Sequence, residues 1–259
     1  MCITDTALCG INPATVFVKE DKMKRLVIGM IAHVDSGKTT LAEAMLYTSG
    51  AIRRQGRVDH GDAFLDTHSI ERSRGITVFS KQAVMEHGGS AFTLLDTPGH
   101  ADFSAETERA LRALDYAVLV ISGTDGVQSH TETLWRLLTR YRIPAFIFVN
   151  KMDISAYERS VLMGGLSSRL DGGCIDFSAS RSRDGLFEEI AVRDEVLMDD
   201  FLEHGEIAPE NIRRAISERK LFPCFFGSAL KLDGIDEFLS GLDFYTEEKT
   251  CTNEFGARA

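Results

Sequence analysis

The chain contains Ala32-His33-Val34-Asp35-Ser36-Gly37-Lys38-Thr39-Thr40, which has the pattern of a phosphate-binding loop between a strand and a helix. The apolar run 26–31 predicts a buried strand before this loop, and apolar residues at 41, 45 and 46 predict an amphipathic helix behind it. Backbone N–H groups of such a loop point at phosphate oxygens, and the positive end of the helix lies behind them. The first small residue is Ala32 instead of the usual Gly, so a chance turn is the alternative.

Three further polar loops follow apolar runs that predict strands. They are Asp96-Thr97-Pro98-Gly99-His100 after the run 91–95, Asn150-Lys151-Met152-Asp153 after 145–149, and Gly227-Ser228-Ala229-Leu230 after 223–226. Open parallel sheets bind ligands outside the carboxyl ends of their strands. The sequence therefore predicts an α/β domain with a doubly wound, mostly parallel sheet and one nucleotide lying across four loops.

The phosphates and a magnesium ion are expected to share one set of side chains. Lys38 is placed to reach the β- and γ-phosphates, and the Thr39 hydroxyl is placed to hold Mg²⁺. Asp96 is placed to hold the ion through water, and the N–H of Gly99 is placed to meet the γ-phosphate. Mg²⁺ is therefore the predicted cofactor.

A second magnesium-binding hydroxyl is expected in Glu71-Arg72-Ser73-Arg74-Gly75-Ile76-Thr77-Val78. Thr77 would complete the coordination of the ion, as a sensor of the γ-phosphate needs. The preceding residues 51–70 are charged and lack periodicity, which predicts an irregular loop. A plain glycine-containing turn into a strand is the alternative for this segment.

The base is predicted to be guanine. Guanine presents two donors, the ring N1–H and the amino group, and an ionised Asp153 accepts from both, whereas adenine offers an unprotonated N1 there. A backbone N–H near Ala229 would meet the guanine carbonyl, while Asn150 and Lys151 would brace the loops. An ordinary polar turn is the alternative interpretation of the segment 150–153.

These motifs resemble the GTPase domain of ribosome-dependent translational factors, a P-loop NTPase G domain. Within that superfamily the chain is most similar to the tetracycline-resistance ribosomal protection proteins, which are relatives of elongation factor G. The similarity runs from about residue 23 to the end of the chain and includes the stretches 47–52, 125–128 and 221–223. The resemblance implies GTP and GDP as ligands, GTP hydrolysis, and the ribosome as partner of the full-length protein.

The resemblance also implies the catalytic group. His100 matches the histidine that orients the attacking water in this family, a role that a glutamine plays in other GTPases. Val34 and Ile76, next to Gly75, match an apolar gate for that histidine, and Asp35 matches a site for a monovalent cation. Without the resemblance, capping of the next helix is the alternative role for His100.

The spacing of the last two motifs predicts a helical insertion. Asp153 and Ser228 lie 75 positions apart, too far for a minimal strand–helix–strand crossover. Three helices are predicted, at about 156–170, at about 186–202, and from Pro209 onward. Residues 23–153 and 220–245 are assigned to the GTP-binding domain and residues 154–219 to an inserted subdomain. An insertion smaller than that of elongation factor G fits the ribosomal protection group.

Composition limits the other possibilities. No run approaches 18 apolar residues, so no membrane span is expected. The net charge of −10 argues against broad nucleic-acid binding by this domain. Free thiols and a cytoplasmic location are expected, because the five cysteines show no metal-binding spacing: Cys2, Cys9, Cys174, Cys224 and Cys251. The histidines without ligand spacing are interpreted as surface residues: His60, His68, His87 and His130.

The ends and the remaining helices complete the sequence predictions. Residues 1–22 are either a leader or an overextended start, and residues 246–259 are expected to begin a linker to a missing β-barrel domain. Helices are predicted at about 101–114, 131–141 and 235–242. For the stripe that includes Trp135 on the second of these, partner binding is the alternative to core packing.

Three functions remain open from the sequence. The first is a GTP-hydrolysing module of a ribosomal protection protein, slow alone and accelerated by the ribosome. The second is a fragment of an elongation factor G-type translocase. The third is an interaction module that depends on GTP but barely hydrolyses it.

Overall fold

The computed structural model of the chain describes residues 23–56, 81–96, 111–178 and 182–248. Several sequence predictions lie outside these residues and stay predictions. They are Gly75, Ile76, Thr77, Gly99, His100, His60, His68, most of the helix at 101–114, the segment 1–22 and most of the segment 246–259.

Seven strands form one sheet within the described residues, in the order β2-β3-β1-β4-β5-β7-β6. Their bounds are β1 Lys24–Ala32, β2 Lys81–His87, β3 Ser90–Asp96, β4 Tyr116–Ser122, β5 Ala145–Asn150, β6 Cys174–Asp176 and β7 Phe222–Phe226. The pair β2–β3 is antiparallel, and the other neighbouring pairs are parallel. The predicted doubly wound, mostly parallel sheet is confirmed.

Helices cover both faces of this sheet. Their bounds are α1 Lys38–Thr48, α2 Ser129–Arg140, α3 Arg159–Arg169, α4 Arg183–Ala191, α5 Glu195–His204, α6 Pro209–Ser217 and α7 Ile235–Tyr245, and a 3₁₀ turn spans Ala229–Lys231. Leu138 of α2 and Leu166 of α3 pack on one face. Met45 of α1 and Phe238 of α7 pack on the other face, together with apolar residues of α4, α5 and α6.

The central strands can be recognised in the sequence because they are buried on both sides. Every residue of β4 and β5 is buried, as expected for parallel strands between two layers of helices. The predicted strands at 26–31, 91–95, 145–149 and 223–226 are confirmed as β1, β3, β5 and β7. The strands β2, β4 and β6 were not predicted, although the apolar run of β4 is a clear signal.

Part of the segment predicted as an inserted subdomain, 154–219, belongs to the sheet. Leu162 of α3 packs against the sheet, and β6 pairs in parallel with β7 at the sheet edge. The helices α4, α5 and α6 follow between β6 and β7, and they bury Phe187 and Leu197 in the same core as α1 and α7. We therefore propose that the insertion comprises residues 182–219.

The single helix predicted at 186–202 is wrong, because the segment folds as α4 and α5. Asp194 is extended between them, with φ −156°, and its carboxylate accepts a hydrogen bond from the Val196 N–H at 3.0 Å. A side-chain acceptor in this position begins a new helix. Apolar residues continue across the break, at Ile190 and Leu197, so the periodicity did not reveal it. The helix predicted from Pro209 is confirmed as α6.

The described residues include two of the five cysteines. Cys174 and Cys224 are free thiols on the neighbouring strands β6 and β7, and both are buried. Burial raises the pKa of the Cys224 thiol well above its ordinary value, and the adjacent Cys174 adds to this shift. Among the helices of the described residues, none combines the length and the hydropathy needed to cross a membrane.

Candidate functional site

The polar loops predicted to hold one nucleotide lie together at the carboxyl edge of the sheet. β1 and β3 are neighbours, β5 and β7 are neighbours, and β4 lies between the two pairs. The loop 32–40 and Asp96 therefore lie on one side of this edge, which we call the phosphate half after its predicted ligand. The loops 150–153 and 227–230 lie on the other side, which we likewise call the base half.

The loop after β1 turns sharply into α1. Asp35 and Gly37 have positive φ angles of 61° and 87°, and the Ser36 N–H donates to the His33 carbonyl at 3.2 Å. A Cβ atom on residue 37 would collide with the side-chain amide of Asn150. Both the backbone angle and the available space therefore require glycine at position 37. Consecutive turns of this kind direct backbone N–H groups to one side, where an anion fits.

A buried ion pair joins the phosphate loop to the next strand. Lys38 begins α1, and its Nζ lies 2.6 Å from Oδ1 of Asp96, the last residue of β3. The exposed fractions of the two side chains are 9% and 1%. Charges with so little water around them interact more strongly than surface charges do. The pair thus presents a cation and an anion at the point where a metal-bound phosphate would approach.

The oxygen donors of the phosphate half fit Mg²⁺. They are the carboxylate of Asp96 and the hydroxyl of Thr39, the second residue of α1. Mg²⁺ keeps several waters and takes one or two protein oxygens besides substrate phosphates. No cluster of three or more His, Cys, Asp or Glu side chains suited to a metal occurs within the described residues. The donor set therefore suits an ion that binds together with phosphates. A monovalent cation near Asp35, which is exposed, stays a prediction.

Asn150 connects the two halves of the site. It ends β5 and is buried, and its Nδ2 donates to the Ser36 carbonyl at 3.1 Å. Its Oδ1 accepts from the Ala229 N–H at 2.9 Å. One side chain therefore fixes the spacing between the phosphate loop and the loop after β7. The bracing predicted for Asn150 is confirmed by these two hydrogen bonds.

The hydrogen bond of the Ala229 N–H limits the predicted contact with the base. A backbone N–H near Ala229 is predicted to meet the guanine carbonyl, yet the N–H of Ala229 itself bonds Asn150. Ala229 begins the 3₁₀ turn, and Leu230 follows it as an exposed residue. The contact with the base therefore stays a proposal for this turn as a whole.

The base half is open beside Asp153, which is exposed to solvent. Lys151 adopts a positive φ of 63°, and the Met152 N–H donates to the Gly227 carbonyl at 3.1 Å. The two loops are therefore joined by backbone as well as by Asn150. Ser228 is buried, and its hydroxyl has no hydrogen-bond partner among the described residues. An exposed carboxylate above two fixed loops can accept hydrogen bonds from a planar base.

The structure adds a loop that the sequence analysis did not assign to the site. The Gly123 N–H, just after β4, donates to the Asn150 carbonyl at 2.7 Å, and the Ser155 hydroxyl donates to the Gly123 carbonyl at 2.8 Å. Hydrogen bonds from Ser122 and Thr124 hold the pKa of the nearby Asp125 below its ordinary value. This loop supports the segment 150–153 from the side of β4.

The interpretation of His130 as a surface residue is wrong. It lies in the first turn of α2, half-buried, with its Nδ1 3.2 Å from Nδ1 of His33 in the phosphate loop. The two rings meet edge to face at 5.3 Å between centroids. The two histidines are 97 positions apart, and no local spacing signals such a contact.

Gln55 and Glu43 are two further residues that the sequence analysis missed. The Gln55 amide donates from Nε2 to the Ala229 carbonyl at 3.1 Å. Beside it, the Gly56 N–H donates to Oε2 of Glu43, a fully buried residue of α1, at 3.2 Å. Neither residue belongs to a recognised phosphate or base motif, so only the three-dimensional arrangement reveals them.

The other predicted residues of the site within the described part also lie at the carboxyl edge. Ala32 and Ser36 are buried, whereas His33, Val34, Thr39, Thr40 and Lys151 are half-buried. These residues therefore lie at one edge of the sheet, and their contacts with a nucleotide stay a prediction. The remaining predicted residues lie outside the described part of the chain: Gly75, Ile76, Thr77, Gly99 and His100.

Known proteins match both the sequence and this architecture. The family "Elongation factor Tu GTP binding domain" matches residues 23–248. The chain is 39% identical over 237 residues to tetracycline resistance protein TetM of Streptomyces lividans, covering 85% of this chain and 37% of that protein. It is 37% identical over 245 residues to tetracycline resistance protein TetP of Clostridium perfringens, covering 86% and 38%.

An elongation factor and a solved structure extend the comparison. Elongation factor G 2 of Geobacter metallireducens is 34% identical over 266 residues, covering 84% of this chain and 39% of that protein. A crystal structure of a protein from Thermus thermophilus matches with a TM-score of 0.75 and 25% identity, covering 86% of this chain and 40% of that one. The chain thus spans about two fifths of the length of these relatives. The resemblance stated from the motifs is confirmed: this chain belongs to the elongation factor Tu GTP-binding domain family.

Proposed function

We propose that this domain binds GTP and GDP with Mg²⁺ and hydrolyses GTP as part of a ribosome-dependent factor of the tetracycline-resistance ribosomal protection type. The observation that carries the proposal is Asn150, which bonds the phosphate loop at Ser36 and the loop after β7 at Ala229. A single nucleotide of matching length would then lie between the two halves. The similarity to TetM and TetP supports the protection type.

The phosphate half would bind the charged end of the nucleotide. Backbone N–H groups around Gly37 and at the start of α1 would offer donors to the phosphate oxygens. The ammonium group of Lys38 adds a charge-assisted contact. Thr39, Asp96 and Thr77 would hold Mg²⁺, which supplies charge neutralisation on the β- and γ-phosphates when bound.

Hydrolysis is proposed to depend on His100, which would orient the water that attacks the γ-phosphate. Val34 and Ile76 would keep this side chain turned away until the ribosome contacts the domain. His100→Ala is expected to lower ribosome-stimulated turnover by about 10²- to 10⁴-fold while the affinity for GDP stays the same. Single-turnover hydrolysis with purified ribosomes measures the effect, and equal stimulated rates would remove His100 from the mechanism.

The base half is tested by Asp153→Asn. The change removes the acceptor for the two guanine donors, so GDP affinity should fall by about 10²-fold or more. The new amide instead suits xanthine, which carries a carbonyl where guanine has its amino group. Calorimetric titration with GDP, ADP and xanthosine diphosphate should show the preference moving from GDP to xanthosine diphosphate.

Asp184→Asn is the matched control, because Asp184 is an exposed aspartate in the first turn of α4. It should bind GDP as the unchanged protein does. An unaltered order of nucleotide affinities in Asp153→Asn would contradict the proposed reading of the base. Absence of GDP binding by the unchanged protein would contradict the function as a whole.

An elongation factor G-type translocase is the second candidate, and the 34% identity to elongation factor G 2 supports it. The two candidates share this domain, so they differ in what the full-length protein does. Release of ribosome-bound tetracycline by the full-length protein is expected for the protection type. Translocation without such release would favour the alternative.

A further inference from the structure

We propose that Gln55 is a positioning residue that holds the base loop, residues 228–230, in the shape that selects a purine with a carbonyl at position 6. The inference rests on the proposed function, because it concerns the same guanine-binding loop. It assigns a role to a residue outside the nucleotide motifs.

The first observation is that the two peptide groups that meet at Ala229 are each held by a side chain. The N–H of Ala229 donates to Oδ1 of Asn150 at 2.9 Å, and its carbonyl accepts from Nε2 of Gln55 at 3.1 Å. Ala229 is fully buried, so its N–H would lack a partner without Asn150. Its carbonyl also accepts from the Leu232 N–H at 3.4 Å and would keep only that longer bond without Gln55. The Ala229 carbonyl belongs to the same planar amide as the Leu230 N–H, so the bond from Gln55 helps to fix the direction of that N–H.

The second observation is that Gln55 stands on a fixed segment. The Gly56 N–H donates to Oε2 of the buried Glu43, and the Ile52 N–H donates to the Leu46 carbonyl, each at 3.2 Å. The Ile52 side chain packs against the core that contains α1. The position of Gln55 is therefore set by α1, the helix that begins at the phosphate loop.

The hydrogen bonds form one continuous series through four residues. Gln55 bonds Ala229, Ala229 bonds Asn150, and Asn150 bonds the Ser36 carbonyl in the phosphate loop. Asn150 makes one link between the two halves of the site, and Gln55 on its α1-anchored segment makes a second. Because both links meet at Ala229, they hold the turn that follows it in a fixed position relative to the phosphate loop. We propose that this position suits the base.

The contact with the Ala229 carbonyl defines which side chains can replace Gln55. The Ala229 carbonyl accepts, so residue 55 must donate over the reach of a glutamine side chain. Leucine has a similar size but no donor, and glutamate at neutral pH has only acceptors. Lysine keeps a donor on a long side chain. The series Gln55→Leu, Gln55→Glu and Gln55→Lys therefore separates donation from size.

The test measures binding of GDP and, by competition with fluorescent GDP, of inorganic pyrophosphate, which has no base. Gln55→Leu is expected to weaken GDP binding about fivefold, the value of one neutral hydrogen bond, and Gln55→Glu at least as much. Gln55→Lys should keep the affinity of the unchanged protein. Pyrophosphate binding should be the same in all variants, because the phosphate loop keeps its own bonds. Gln82→Leu, an exposed glutamine on β2, is the matched control.

Each outcome supports or overturns the inference. Equal GDP affinities of Gln55→Leu and the unchanged protein overturn it, as does failure of Gln55→Lys to restore binding. A parallel loss of pyrophosphate binding also overturns it, because the effect would then act on the phosphate half. If thermal melting of the nucleotide-free variants shows a loss of stability while the affinity of the folded protein is unchanged, Gln55 is only structural. If the unchanged protein binds pyrophosphate but not GDP, the proposed function fails first.

Discussion

Two lysine–aspartate pairs lie at opposite edges of the same sheet, and they differ in almost every physical respect. At the carboxyl edge, Lys38 and Asp96 are 2.6 Å apart with side-chain exposures of 9% and 1%. At the amino edge, Lys24 and Asp243 are 3.5 Å apart with exposures of 29% and 24%. The first pair joins α1 to β3, and the second joins β1 to α7.

The comparison separates a functional arrangement from a stabilising one. Burying two charges costs desolvation energy that their attraction seldom exceeds, so a buried pair is weak evidence for stability. The half-exposed pair keeps its water and ties α7 to the start of β1, with Asp243 also accepting from the Ser90 hydroxyl. In the proposed function, the charges at the carboxyl edge therefore serve a ligand, whereas the charges at the amino edge join β1 to α7.

The largest expected difference between the two edges comes from replacing each lysine. Lys38→Met should lower GDP affinity by at least about 100-fold, since a charge-assisted phosphate contact is lost. It should also reduce the free energy of unfolding by about 3 kcal/mol, because Asp96 loses its buried cation. Lys24→Met should leave GDP affinity unchanged and cost less than about 1 kcal/mol. Urea unfolding and GDP titration measure the two effects.

The double variant Lys38→Met with Asp96→Leu makes this test sharper. It removes the buried charge together with its partner, so most of the lost stability should return while GDP binding stays weak. If Lys24→Met and Lys38→Met destabilise the fold equally, burial does not distinguish the two pairs. The proposed contrast between the edges would then be wrong.

Arg219 provides a test of intermediate size at the amino edge. Its guanidinium lies 5.0 Å from the ring of Trp135 and 4.9 Å from that of Phe222, and it donates to the carbonyl of Ile143. Burial lowers the pKa of this side chain from its ordinary value. Arg219→Leu should reduce the free energy of unfolding by about 2 kcal/mol through lost hydrogen bonds and stacking, with no change in GDP affinity.

The exposed Arg136 of α2 is the control for that variant, since its side chain is 78% exposed. Arg136→Leu should change unfolding by less than about 0.5 kcal/mol. Chemical denaturation and a GDP titration of both variants give the comparison. A loss of GDP affinity in Arg219→Leu would show that the two edges are coupled, contrary to the expectation.

The smallest effect is a pH dependence at Asp243. Partial burial raises the pKa of its carboxyl, but hydrogen bonds from Ser90 and Gly89 and the charge of Lys24 outweigh burial, so the pKa lies below its ordinary value. A lowered pKa in the folded protein adds stability above about pH 4, and this contribution is lost as the pH falls through the folded value. Asp243→Asn should therefore cost less than about 1 kcal/mol at about pH 6, and the difference should shrink by about pH 3.

Denaturation midpoints at about pH 6 and about pH 3 test this sign. Asp236→Asn is the control, as Asp236 is an exposed aspartate in the first turn of the same helix. A constant difference between the unchanged protein and Asp243→Asn at both pH values would contradict the lowered pKa.

The sequence predicts the parts of the fold that local chemistry determines. β1, β3, β5 and β7 have apolar runs followed by polar motifs, and the structure confirms them. β6 has only three residues, Cys174–Asp176, too few for a periodic signal, and it forms because β7 lies beside it. The break between α4 and α5 depends on one cap, Asp194, inside an unbroken apolar pattern. Motif residues are likewise predictable, whereas Gln55 and His130 join the site only through contacts distant in sequence.

The two buried cysteines make local opening of the strands β6 and β7 measurable. Cys174 and Cys224 lie on β6 and β7, shielded from solvent and with the Cys224 thiol held protonated by its raised pKa. A thiol reagent reaches them only when these strands open locally. The labelling rate therefore reports how often β6 separates from the sheet. This strand is the last one before the helices α4 to α6.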